Sequence, residues 1–310
     1  MALGIVALPA TLIVGSFINH RLRLPREEAA HPAPGRLVTV SDHNLHVYGE
    51  GAGGVTLVFL AGSGTSAPML DFRALYSRLS DDYRIAVVER AGYGWSEIAS
   101  TPRDIDTVLE ETRTALEEAG ESPPYVLFPH SMAGLEALYW ASLYPHEVAA
   151  IVGLDMTTPE IYEVMPDPPQ ATLAALRFLS RTGLTRLIPA VCHDSPAISE
   201  GHLTAGEVDT YCALVYRRTL TANMLAEVDI VRANAGRVAA QGTSNVPLYV
   251  FISNGEDLPV DNWEALLIAF AEEANGTYVT LDVGHYIHNF APDLIAEESR
   301  LFIQGVVGED

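Results

Sequence analysis

A chain of 310 residues with 48% hydrophobic and 19% charged residues has the composition of a folded protein whose length allows one large core plus an insertion. Acids outnumber bases 40 to 18, a formal charge of −22, which excludes a nucleic-acid partner because no surplus of cations is present to displace counterions from phosphates. All 18 bases are arginine, and the absence of lysine excludes Schiff-base and pyridoxal enzymes and lysine-dependent phosphate loops, whatever compositional bias produced it.

The chain opens on residues 2–18, an uncharged apolar stretch of minimal membrane-spanning length, followed by Arg21, Arg23 and Arg26. It reads as a membrane anchor in preference to a buried helix or a cleaved signal, with a linker completing residues 1–34. The arginines place the following domain on the cytoplasmic side by the positive-inside bias, a secreted placement staying open. From Gly35 the pattern alternates as a hairpin around Asp42, His43 and Asn44, and residues 55–60, VTLVFL, form the continuous apolar run of a central parallel strand. That run ends in Ala61, Gly62, Ser63 and Gly64, where glycine lets backbone approach a ligand closely. A helix over 68–80 and a strand over 84–89 follow, then the turn ERAGYGWSE, in which Gly92, Gly94 and Ser96 read as turn and cap residues. A helix from Asp104 to Ala119 leads to the segment between Pro124 and Asp155. There an apolar strand, a sharp turn at Ser131, an amphipathic helix and a second apolar strand follow one another.

After Asp155 the strand pattern stops, and three helical stretches punctuated by prolines predict an inserted helical cap over residues 156–245. The cap holds the two cysteines, Cys192 and Cys212, which either pair in an oxidising compartment or serve as small buried hydrophobes. Strands resume at 247–253, a helix runs from Asn262 to Glu273, and a last strand leads to Gly284 and His285. The alternation predicts a doubly wound, mostly parallel α/β sheet with its core over residues 35–155 and 246–310. The pairs His43/His46 and His285/His288 have a spacing that does not by itself specify zinc, and no metal or cofactor is implied.

The turn at Ser131 resembles the nucleophile elbow of the α/β-hydrolase superfamily, G-x-S-x-G, with Pro129 and Ala133 in place of the outer glycines and Gly134 next. Pro129, lacking an N–H, has to sit where the strand ladder ends. The resemblance extends in element order over about residues 35–307. It implies that Ala61-Gly62 replaces the usual His-Gly pair, that the amides of Ser63 and Met132 form an oxyanion hole, and that Glu89 replaces the aspartate of the D-R-x-G-x-G-x-S turn. It further implies a triad in the order Ser131, acid, His285. The acid is Asp155 or, in the loop after the penultimate strand, Asp257, with Glu256 beside it. Asp155 is preferred because it ends an apolar strand, where a buried carboxylate needs an imidazole or other donors. His288 reads as a pocket wall or a capping hydrogen-bond partner.

What the resemblance implies is a capped serine hydrolase acting on a small-molecule ester or related acyl substrate. An acyltransferase, peptidase or C–C hydrolase would use the same triad, and a non-catalytic binding protein would keep the fold alone.

Overall fold

The structure is a computed structural model describing residues 2–242 and 244–308. In chain order it comprises α1 (Ala2–Ala30), β1 (Arg36–Val40), β2 (His43–Glu50), β3 (Thr56–Leu60), α2 (Pro68–Asp71), α3 (Arg73–Leu79), β4 (Arg84–Glu89) and α4 (Ile105–Ala119). Next come β5 (Tyr125–Pro129), α5 (Ala133–Leu143) and β6 (Val148–Leu154). The cap helices are α6 (Ile161–Val164), α7 (Gln170–Arg181), α8 (Ala190–His193), α9 (Pro196–Ser199), α10 (Ala205–Arg218) and α11 (Ala222–Ala239). The chain closes with β7 (Leu248–Ile252), α12 (Trp263–Glu273), β8 (Thr277–Thr280), α13 (Ile287–Phe290) and α14 (Pro292–Val307).

The eight strands form one sheet in the order β1-β2-β4-β3-β5-β6-β7-β8. The β1–β2 and β2–β4 pairs are antiparallel and the remaining pairs parallel. β3, β5 and β7 are buried at every residue, as continuous apolar runs covered on both faces should be. The cap is inserted between β6 and β7 and packs on the turn that follows β4, where Arg218 donates to the Gly94 carbonyl at 2.7 Å.

Three local expectations are corrected. The hairpin turns at Ser41 and Asp42, with Ser41 at φ 55°, so His43 and Asn44 belong to β2. The helix expected over 68–80 breaks at Phe72, which ends α2 and starts α3. Of the linker expected before Gly35, Glu27 to Ala30 is helical, the last turn of α1, and only the residues after Ala30 connect to β1. The end of α1 is docked on the cap: Arg186 forms two 2.7 Å hydrogen bonds with Glu27, Arg217 reaches Glu28 at 2.7 Å, and Trp95 Nε1 donates to the carbonyl of His31 at 2.9 Å. Residues 2–18 form the first part of α1, on which Leu12, Val14, Phe17 and Ile18 are exposed. Among the described residues no helix is long and apolar enough to cross a membrane.

The cap is fastened in two further ways. Cys192 of α8 and Cys212 of α10 are joined in a disulfide, which resolves the alternative left open by their spacing. Glu227 of α11 accepts a 2.6 Å hydrogen bond from Tyr93 and lies 3.4 Å from both Arg90 and Arg103, all of them buried. Carboxylates are removed from water this completely only when ion pairs and hydrogen bonds compensate them.

Candidate active site

The elbow follows from what β5 runs into. Pro129 is the last residue of β5, opposite Leu60, so its missing N–H costs the ladder nothing, and the next amide, that of His130, bonds the Leu60 carbonyl at 2.9 Å. The chain then reverses at Ser131, whose φ of 53° is a strained value for a residue with a side chain. The strain is held from outside: the Ser131 carbonyl accepts the amide of Thr157 at 2.8 Å and its hydroxyl at 3.1 Å. A side chain at position 134 would fall on the Thr157 carbonyl, so glycine is required there for α5 to leave the turn. On the opposite side a Cβ at position 62 would lie 2.7 Å from Ser131 Cβ and 3.0 Å from His130 Nδ1, which brings the loop after β3 against the elbow. Among the described residues, neither the amide of Ser63 nor that of Met132 is engaged by a backbone hydrogen bond.

Asp155 stands at the end of β6 with φ 47° and no exposure to solvent. Its Oδ1 accepts from the amide of Ser253 and from Trp263 Nε1, each at 2.8 Å. Its Oδ2 accepts from Ser253 Oγ and from Nδ1 of His285, each at 2.6 Å. Four donors thus converge on one buried carboxylate, the compensation that such burial demands. With Nδ1–H turned to Asp155, the other ring nitrogen of His285 carries the lone pair. The Ser131 hydroxyl has no hydrogen-bond partner among the described residues, and links of this kind commonly close only when substrate binds.

Asp257 is placed differently. It is exposed, and it accepts the backbone amide of His285 at 3.2 and 3.3 Å without engaging the ring. Glu256 beside it is exposed and turns its own amide to Asn254. Asp257 therefore fixes the chain that carries the histidine, and Asp155 fixes the ring.

Two further histidines are tied into the region around His285, His130 without any role in the sequence reading and His288 as a hydrogen-bond partner, though not a capping one. His130 is buried and donates from Nε2 to the carbonyl of His285 at 3.2 Å, while its ring packs on those of His285 and His288 at 4.6 and 4.7 Å. Burial first, then the neighbouring His285 and His288, hold His130 well below its ordinary pKa, so it is neutral at physiological pH. His288 donates from Nε2 to Asp71 Oδ2 at 2.8 Å in a pair without solvent exposure, tying α13 to α2. A histidine immediately before the sharp turn at Ser131 is the one sequence signal for His130. Nothing local marked Asp71.

The other histidine pair is structural. His46 bonds Glu89 at 2.9 Å and accepts the amide of Gly35, whereas His43 faces Asp42 and Glu111. Glu89 also accepts the amide of Trp95 at 2.7 Å, and a side chain at Gly94 would collide with the Glu89 carboxylate, which accounts for that turn. Among the described residues, Cys192, His193 and Cys212 approach closely enough to share a metal ion, but there the two sulfurs are bonded to each other.

Comparison with known proteins agrees with this fold. Residues 55–182 match the family described as alpha/beta hydrolase fold. The chain is 39% identical over 227 residues to the uncharacterized protein YbdG of Bacillus subtilis, covering 73% of this chain and 70% of that one. Among solved structures it resembles Cfl2 of Burkholderia cenocepacia, with a TM-score of 0.67 and 22% identity over 86% of this chain and 94% of that one. It also resembles the epoxide hydrolase VrEH1 of Vigna radiata, with a TM-score of 0.68 and 18% identity over 87% of this chain and 97% of that one. At these identities the solved structures speak for the fold alone.

Proposed function

Since the chain belongs to the α/β-hydrolase fold family, we propose that it is a serine hydrolase cleaving a carboxylic ester or related acyl substrate through an acyl-enzyme. The observation that supports this most is the 2.6 Å hydrogen bond from His285 Nδ1 to buried Asp155, on the same sheet edge as a serine in a strained turn. In this reading Ser131 Oγ bonds to the substrate carbonyl carbon as its proton passes to His285 Nε2. The carbonyl electron pair moves to oxygen, where the amides of Ser63 and Met132 receive it. Collapse breaks the bond to the leaving group, which takes the proton from His285. Water then repeats the sequence on the acyl-serine, and Asp155 holds the imidazole in one tautomer and stabilises it while it is cationic.

Serine at the elbow also bears on the epoxide hydrolases that share the fold. Attack of a hydroxyl on an epoxide carbon would leave an ether, which this machinery does not hydrolyse, whereas attack on an acyl carbon leaves an ester, which it does. The test is turnover of p-nitrophenyl esters of graded chain length beside styrene oxide. Ester cleavage that is lost in Ser131→Ala supports the proposal, and diol formation without ester cleavage refutes it.

The proposal extends to location. The uncharged segment 2–18, with Leu12, Val14, Phe17 and Ile18 exposed, would associate with a membrane surface, and flotation with lipid vesicles tests this. The Cys192–Cys212 disulfide favours an oxidising compartment, against the orientation read from the arginines.

A further inference from the structure

The pair formed by Asp71 and His288 leaves a buried acceptor unused. Asp71 is wholly shielded from solvent, His288 satisfies its Oδ2, and Oδ1 meets no donor among the described residues. Buried polar atoms are seldom left in this state, and a carboxylate oxygen is among the costliest to leave so. Asp71 cannot be dismissed as a distant structural group. It ends the short helix that follows the loop carrying Ser63, and its partner His288 packs on His130 beside Ser131 and lies three residues from His285.

The surroundings place this acceptor where core meets cap. Tyr286 comes from the core, and Tyr211, hydrogen-bonded to Ser195 at 2.7 Å, comes from the cap. Burial first, and then the negative charge of Asp71, push both phenols above their ordinary pKa, so both hydroxyls stand protonated within its field. The disulfide ends at Cys212, next to Tyr211, and at Cys192, three residues before Ser195, and so fixes the two cap hydroxyls. Substrate pockets of capped folds lie at such an interface, with a few fixed polar groups setting orientation.

We propose that Asp71 is the recognition group for a protonated amine on the substrate, so that the preferred substrates are esters or amides of an amino acid or amino alcohol. An ammonium group brings what the site lacks, a hydrogen-bond donor and a positive charge opposite a carboxylate whose only side-chain partner among the described residues is a histidine. The formal charge of −22 draws cations toward the protein from a distance. The proposal rests on the serine-hydrolase reading for what is cleaved, while binding of the amine itself needs no catalysis.

Isothermal titration of the unaltered protein with L-alaninamide and with lactamide, its hydroxyl analogue, tests the charge directly, and Ser131→Ala run in parallel keeps the probe uncleaved. A charge-assisted hydrogen bond predicts about 10- to 100-fold tighter binding of alaninamide. Asp71→Asn, which keeps an acceptor for His288, should abolish that preference, weakening alaninamide far more than lactamide. Equal affinities for the two probes, no binding of alaninamide, or equal weakening of both probes in Asp71→Asn would overturn the proposal; the first two need no variant to fold. Ester turnover without amine preference would remove only this inference. Amine binding without any turnover would remove the hydrolase reading and leave the subsite standing.

Discussion

Asp155 and Asp257 grip the same residue at different points: Asp155 takes Nδ1 of the His285 ring at 2.6 Å, and Asp257 takes its backbone amide at 3.2 Å. Only the first contact controls tautomer and charge on the imidazole. Asp155→Asn should therefore lower kcat by about 10³ to 10⁴. Asp257→Asn should lower it by no more than about tenfold, because an exposed carboxamide still accepts the amide. Steady-state kinetics of the two variants decide this, and the opposite ranking would reverse the assignment.

The elbow makes a steric prediction. Alanine at position 134 would meet the Thr157 carbonyl, which belongs to the segment that supports Ser131. Gly134→Ala should cost about 1 to 3 kcal/mol, as overpacking in a rigid interior does. Urea titration measures it, and an unchanged midpoint would mean that the turn is looser than its hydrogen bonds indicate.

His130 predicts a pH dependence of stability. Its pKa is depressed in the folded protein by burial, so the unfolded chain binds the extra proton as pH falls below about 6.5, the ordinary histidine value. Stability from this residue is thus complete above that pH and is lost on acidification, at up to about 1.4 kcal/mol per pH unit. In His130→Gln, which keeps a donor for the His285 carbonyl, unfolding free energies between pH 7 and pH 5 should fall less steeply by this amount. An identical slope would contradict the assignment.

The disulfide closes a loop with a sequence separation of 20 within the cap. The chain-entropy argument gives such a loop about 3 kcal/mol of stability. Reductant should lower the melting temperature of the protein and leave that of a Cys192→Ser, Cys212→Ser double variant unmoved. Reductant sensitivity persisting in the double variant would point to another cause.

Much of this architecture is visible before any coordinates. β3, β5, β6 and β7 are apolar apart from Thr56 at the start of β3, as strands of a parallel sheet buried on both faces are, and Ser131, Asp155 and His285 follow strands because the parallel arrangement brings those ends to one edge. The departures arise where partners lie far apart in the chain. The docking of Glu27 on Arg186 spans the distance from the first helix to the cap, and no local pattern distinguishes that glutamate from a solvated linker residue. Asp71 and His288 join two short helices 217 residues apart, so the reading of His288 as a pocket wall or hydrogen-bond partner could not name Asp71 as that partner. The break at Phe72 depends on the same packing, since its ring sits 4.8 Å from that of His288.

The central claim is that Ser131 is a nucleophile activated by His285 and Asp155. Intact-mass and peptide-level mass spectrometry after exposure to a fluorophosphonate probe reads that claim most directly. One adduct per chain, located on Ser131 and formed far more slowly in folded His285→Ala, is the predicted result. A folded protein that takes no adduct, or takes it on another residue, would contradict the account.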